Sequence, residues 1–320
     1  MRHGSPAAVL VLVLALAAGH AAAQSGQVLR LVVPFPPGGG VDVVARTFGQ
    51  RLSQELGQQL IVDNRPGASG NIGADFVAKS APDGNVLMVS ASTFIVNPLV
   101  AAQKAPFDPM KDFTHVALIA KGPVLLITHP GYGTSLREFM EKAKADPDKY
   151  NFATGGFGSA GHLAAESFKL RAGLTSPVVL YKGTAPAFAD LMGGRISGIF
   201  DPLVTALPLA MGGKVRALAL AAPKRSLLAP EVPTVAEAGI AGFEFYTWYG
   251  LWGPLGMSAA TAGRIERAVA AAGTSSALAR WFESQGLEYG ELTGKAFVEF
   301  ERHEQAVVED IVKRGNLTRQ

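Results

Sequence analysis

The 320-residue chain has no cysteine, which excludes disulfides, thiolate metal sites and a lipid-anchored N-terminal cysteine. Charge is sparse as well. Charged residues make up 17% of the chain, and 29 Lys and Arg against 26 Asp and Glu leave a net charge of +3 with no basic run. Nucleic-acid binding therefore has no electrostatic footprint. The six histidines (His3, His20, His115, His129, His162, His303) lie at no metal-ligand spacing. The acidic residues form no calcium-loop pattern either. Beyond the N-terminus no segment stays apolar for the ~20 residues a membrane span needs. Hydrophobic residues at 48% exclude the composition of a disordered chain, and the length normally divides into two domains.

What is present begins with an export pattern. Arg2 precedes an apolar stretch over residues 7–18, and Ala21, Ala22 and Ala23 supply small residues at a cleavage spacing. The apolar part is too short to span a bilayer. Residues 1–23 thus read as a cleavable signal peptide, and the mature chain is expected in the periplasm.

Two glycine-rich loops follow. Pro34-Phe35-Pro36-Pro37-Gly38-Gly39-Gly40-Val41-Asp42 comes after a β-rich run at 29–33, and Asn64-Arg65-Pro66-Gly67-Ala68-Ser69-Gly70-Asn71-Ile72-Gly73 after a run at 60–62. Each leads into a helical pattern, so backbone N–H groups at a helix start face whatever sits above the sheet: an anion cradle. Glycine lets the backbone approach a ligand closely. Val41, Val44, Ala45, Phe48, Leu52 and Leu56 recur at helical spacing, with Gly57 as C-cap.

Further along, the pattern predicts a helix over 72–79, a turn at Pro82-Asp83-Gly84, a strand over 86–90, and apolar runs at 115–120 and 124–128 broken by Gly122-Pro123. Ser135 and Glu138 form a capping box. Strands are expected at 151–154, 178–181, 196–200 and 217–221, with a return strand in 243–252 and a helical remainder in which Thr293 caps a long terminal helix. Alternation of this kind builds parallel sheets. A strand, glycine loop and helix at the head of each half suggest two similar α/β lobes joined by two crossing strands. The ligand is expected between the carboxyl ends of both sheets. One domain is expected at 24–121 plus 250–320 and the other at 122–249.

The two loops together resemble the substrate-binding proteins of tripartite tricarboxylate transporters, the Bug family, with one extra glycine among Gly38, Gly39 and Gly40. Residues 155–162, Tyr181-Lys182-Gly183-Thr184-Ala185-Pro186-Ala187, Phe200-Asp201 and residues 232–239 carry the resemblance across nearly the whole mature chain. It implies a two-lobed periplasmic binding protein, type II-like, without catalysis or cofactor. Such a receptor closes on a small carboxylate and delivers it to membrane transporter subunits. A monomer is expected.

Candidate ligand residues in the first loop are Phe35, Pro36, Gly39, Gly40 and Asp42, where Asp42 also reads as a helix-start cap. The second loop offers Ser69 and Gly70, and the stretch after the third strand offers Ser90, Ser92, Thr93 and Asn97, a cluster that is also ordinary turn chemistry. The later half offers Thr154, Gly155, Gly158, Ser159, His162, Lys182, Gly183, Thr184, Ala185 and Asp201. His162 reads equally as a pocket donor and as an ordinary helix residue. Asp201, at a strand end before Pro202, is placed to accept from a solute hydroxyl or ammonium. Gly156-x-Gly158-x-x-Gly161 matches a dinucleotide fingerprint in form, yet the strand that follows ends in Tyr181-Lys182 rather than an acid. Ser159 lacks the first glycine of a nucleophile elbow. A periplasmic hydrolase using Ser159 and a sensory module signalling to a membrane kinase stand as the rival readings.

Overall fold

The computed structural model describes residues 28–100 and 104–314. The signal peptide assignment lies outside the described residues.

The chain opens as alternating strands and helices: β1 (Leu29–Val33), α1 (Gly40–Leu56), β2 (Leu60–Asn64), α2 (Asn71–Ala78), β3 (Val86–Ala91) and α3 (Thr93–Val100). β2, β1 and β3 pair in parallel. Helix α1 forms as its spacing predicts: Val41, Val44, Ala45, Phe48 and Leu52 are buried, and Gly57 ends it at φ 63°. That left-handed cap suits a residue without a Cβ.

β4 (Phe113–Thr128) is one continuous strand of 16 residues, not two runs split at Gly122-Pro123. The reason is a change of partner. Up to Pro123 it pairs antiparallel with β9 (Tyr246–Pro254), and from Val124 it pairs antiparallel with β7 (Gly198–Pro202) and β8 (Arg216–Leu220). The proline falls where the hydrogen-bond ladder is handed over, a position that tolerates a missing donor.

The middle of the chain adds α4 (Leu136–Ala145), β5 (Phe152–Thr154), α5 (Ala160–Ala172), β6 (Val178–Leu180), α6 (Thr184–Met192) and α7 (Leu203–Met211). The capping box forms at α4, with the Glu138 N–H donating to Ser135 Oγ at 3.2 Å and the Thr134 N–H donating to the Glu138 carboxylate at 2.7 Å. After β9 come α8 (Ala259–Gly273), α9 (Ser276–Ser284), the short β10 (Glu288–Tyr289) and α10 (Gly294–Arg314). The sheet order is β2-β1-β3-β9-β4-β7-β5-β6, with β8 and β10 attached to β4. β5 pairs in parallel with both β6 and β7.

This order makes two α/β lobes around β4 and β9. Apolar clusters fill both faces of each half: one pair draws chiefly on β1, β3, β9, α1 and α10, the other on β5, β7, β8 and α5. Burying both faces explains why the strands read as continuous apolar runs.

The first half carries a buried polar joint. Glu301 on α10 accepts from the indole N–H of Trp252 on β9 at 2.9 Å and bonds His115 Nδ1 on β4 at 2.5 Å. Next to it, Glu304 accepts from the Trp248 indole at 3.0 Å. These contacts fix α10 against the β4–β9 pair.

Candidate functional site

A cleft of about 580 Å³, counting its open mouth, lies between the halves. Its walls include Phe35, Pro36, Val41, Ala91, Phe200 and Pro202, and its polar groups come from Thr93, Ser159, Thr184, Asp201, Thr247, Tyr249 and backbone. No Lys, Arg or His lines it among the described residues.

Five helices begin here. α1 presents Gly40 and Val41, α3 presents Thr93, α5 presents Ala160 and Gly161, α6 presents Thr184, and α7 starts directly after Pro202. The first turn of a helix leaves N–H groups without intrahelical partners, and the aligned peptide dipoles add about half a positive charge at that end. The cleft is therefore electropositive through backbone alone.

The glycines permit this convergence. A Cβ on Gly40 would come within 2.7 Å of the Tyr249 hydroxyl and 3.4 Å of Pro202 Cγ. A Cβ on Gly183 (φ 104°) would meet Pro36 Cδ at 2.5 Å, and one on Gly161 would overlap the Phe200 carbonyl. The loops of the two lobes thus sit in direct contact, Pro36 on Gly183 and Gly39 beside Thr184.

Of the residues proposed from sequence, Phe35, Pro36, Gly39, Gly40, Thr93, Gly155, Ser159, Gly183, Thr184 and Asp201 line the cleft. The others lie behind it or outside it. Asp42 turns into its own loop, accepting from the Gly38 N–H at 2.9 Å, Asn64 Nδ2 at 2.9 Å and Arg46 Nε at 3.0 Å. Burial works to raise its pKa, but those hydrogen bonds and the Arg46 charge hold the carboxyl below its ordinary value. Gly70 backs the Phe35 ring, so the second glycine loop props the first. Arg65 pairs with Asp63 at 2.7 Å and lies over the Phe76 ring at 3.6 Å, away from the cleft.

Ser69 and Asn97 bridge the lobes. Phe157 N–H donates to Ser69 Oγ at 3.2 Å, and Asn97 Nδ2 donates to the Phe157 carbonyl at 3.0 Å. Gly158 packs on the Asn97 backbone. Ser90 and Ser92 are buried at the end of β3, where the Ser92 N–H donates to the Trp248 carbonyl at 3.0 Å. Lys182 is exposed, and neither it nor Ala185 reaches the lining. Asn97→Ala removes one bond between the lobes without touching the cleft. If that bond forms only when the lobes meet, solute affinity is expected to fall about fivefold, as calorimetry would measure, since a net hydrogen bond is worth about 1 kcal/mol.

Thr154, Ser159 and His162 form a structural group. The Ser159 hydroxyl caps α5, accepting from the His162 N–H at 3.1 Å, and shares a 3.0 Å bond with Thr154 Oγ1. His162 is buried, and its Nδ1 accepts from the Gly158 N–H at 3.2 Å. Burial pulls its pKa down to about 4, so the ring is neutral and weakly basic. The imidazole of His162, the only histidine beside Ser159 among the described residues, thus makes no bond to that hydroxyl, and a nucleophilic serine needs a base.

Sequence reading missed Val41, Ala91, Gly156, Ala160, Gly161, Phe200, Pro202, Thr247 and Tyr249. The Tyr249 ring is fully buried. Yet neither its hydroxyl, beside the Thr247 side chain, nor Asp201 Oδ1 completes a well-formed hydrogen bond. Asp201 Oδ2 accepts from Thr205 Oγ1. Burial pushes the Asp201 carboxyl up to about 7, against the opposing effect of the Thr205 and Thr184 hydroxyls. Burial also raises the Tyr249 phenol above its ordinary value, and the Asp201 charge adds to this.

Two α/β lobes about a cleft are the fold of periplasmic binding proteins. The comparisons narrow this further. The chain belongs to the tripartite tricarboxylate transporter family of receptors, whose family model matches residues 44–317. It is similar to the protein BugT of Bordetella pertussis, 35% identical over 260 residues, or 81% of this chain and 80% of that protein. A Rhodopseudomonas palustris protein solved with adipate is 34% identical with a TM-score of 0.85, covering 91% of this chain and 98% of that one. MatC from the same organism, with bound malate, is 31% identical with a TM-score of 0.83, covering 89% and 98%. The family is one of solute receptors, not of enzymes.

Proposed function

We propose that this chain is a periplasmic receptor that holds a small carboxylate between its lobes and hands it unchanged to the membrane subunits of a tripartite transporter. The observation that carries this reading is the meeting of helix N-termini from both lobes at a cleft that no cationic side chain among the described residues lines. An anion there is held by backbone N–H groups, hydroxyls and bridging water. Two similar proteins solved with malate and with adipate make short acids the first ligands to test.

The lobes are assigned to residues 24–121 with 250–320 and to 122–249. Each crossing of β4 and β9 between them then acts as a hinge, and a ligand that bonds both lobes favours the closed state over the open one. Of the residues named from sequence, the ligand shell is assigned to Phe35, Pro36, Gly39, Gly40, Thr93, Gly155, Ser159, Gly183, Thr184 and Asp201. Micromolar affinity corresponds to about 8 kcal/mol, within reach of a few charge-assisted hydrogen bonds.

The test is to incubate the purified mature protein with malate, adipate and other short carboxylic acids, follow the melting temperature, and recover the acid. A raised Tm with the acid intact supports a receptor, because only a ligand of the folded state stabilises it. A consumed acid means an enzyme, and no shift with any acid contradicts the assignment.

A further inference from the structure

The floor of the cleft holds two buried oxygens, Asp201 Oδ1 and the Tyr249 hydroxyl, that complete no well-formed hydrogen bond and have only the Thr184 and Thr247 hydroxyls close by. Buried polar atoms are nearly always bonded, so a pair left open at one site points to a missing guest. They differ in what they offer. The phenol is a donor, whereas a carboxyl donates only when protonated.

The surroundings decide which form Asp201 takes beside an acid. It meets Thr184 from α6, Thr205 from α7 and Tyr249 from β9, and its strand neighbour on β4 is Leu125. No cationic side chain lines the cleft among the described residues, and the remaining positive potential comes from helix ends. A ligand carboxylate set beside an ionised, fully buried Asp201 would put like charges together in a low dielectric, where one of them takes up a proton.

Resting on the carboxylate-receptor reading, we propose that Asp201 recognises its guest as a neutral acid, donating a hydrogen bond beside that of Tyr249, so that each anion bound brings one proton into the cleft. The reaction balances as anion plus proton plus ionised protein giving the complex with Asp201–OH. It makes Asp201 a specificity residue for acids over zwitterions, since an ammonium group would need the ionised form as its acceptor. The free carboxyl already titrates near neutrality, at about 7, so the proton is available. The sign follows. Binding is strongest below that pH, where Asp201 already carries the proton, and weakens as pH rises through and above it.

The side chain's other oxygen supplies a decisive variant. Thr205 donates to Oδ2, so in Asp201→Asn the amide oxygen takes that place and the amide NH₂ faces the cleft. Asparagine thus imitates the protonated acid at every pH. The experiment titrates adipate, malate and glutamate by calorimetry between pH 5.5 and 8.5, in buffers of unlike ionisation heat, into the wild type and Asp201→Asn. For adipate or malate, uptake of about one proton near pH 8 and a Kd that weakens up to tenfold per pH unit above 7 are expected. Asp201→Asn should keep binding within about threefold of the low-pH wild type and lose both effects. A pH-independent Kd without proton uptake, loss of binding in Asp201→Asn, or a preference for glutamate over both acids would overturn the proposal. Should no acid bind either protein at any pH, the receptor reading itself fails and this one falls with it.

Discussion

Gly40→Ala is expected to weaken carboxylate binding about 100-fold and to lower Tm by only roughly 2–5 °C, the overpacking cost of about 1–3 kcal/mol. The added methyl would lie 2.7 Å from the Tyr249 hydroxyl and 3.4 Å from Pro202 Cγ. Neither neighbour can retreat. The Tyr249 ring is fully buried, and Pro202 is held at the end of β7, paired with β4. The methyl therefore enters the space where the first turn of α1 and the phenol meet a guest. Gly40 has an ordinary helical backbone, as it is not among the residues with positive φ, so alanine adds no backbone strain. Calorimetry with adipate or malate, paired with a melting curve, separates the two effects. Unchanged affinity would place the ligand away from the α1 N-terminus, and a large fall in Tm would mean that Gly40 serves packing rather than the site.

Glu301→Ala should cost about 3–5 kcal/mol of stability, because it leaves the remaining partners of a buried joint unpaired. Glu301 is itself fully buried and holds both His115 at 2.5 Å and the Trp252 indole at 2.9 Å. Burial raises its carboxyl above the ordinary value, and the bonds from His115 and Trp252 pull back only part of that. In a chain of this size the loss corresponds to roughly 5–8 °C in Tm. Glu301→Gln, which keeps an acceptor for the indole, should lose less than half as much. Because none of Glu301, His115 and Trp252 lines the cleft, the affinity of the folded variant for an acid is expected to match the wild type. Equal Tm values for both variants and the wild type would remove the joint from any role in stability.

The sequence carried the frame of the fold and one wall of the site. Helix α1, the capping box of α4 and the strands β1, β3 and β5 to β8 all follow from local periodicity and turn chemistry, within a residue or two at their ends. The first glycine loop was legible because glycine and proline there have a local meaning. What stayed hidden depends on distant partners. Pro123 reads as a break, yet β4 continues through it because its ladder changes partner at that point. Residues 90–98 read as a hydroxyl cluster of turn chemistry, yet 93–100 form α3 because burying Phe94, Ile95 and Val96 outweighs β-branching and an internal Pro98.

The same holds for the site. Ser69 and Gly70 belong to a glycine loop as suggestive as the first, but that loop stands behind Phe35, a fact of tertiary order alone. Tyr249 carries no such signal, since the two-residue period of its strand separates two faces without saying that one of them meets the opposite lobe. Asp201 was visible as an acid before a proline, but its burial was not, and burial is what sets its proton affinity.

A crystal structure of the mature protein with adipate or malate, whichever raises Tm, tests the central claim most directly. The account predicts one carboxylate within hydrogen-bond distance of the N–H groups that open α1 and α5, with Tyr249 and Asp201 partnered by the same guest. An acid bound outside this cleft, or inside it against an arginine or lysine brought in from elsewhere, would contradict it.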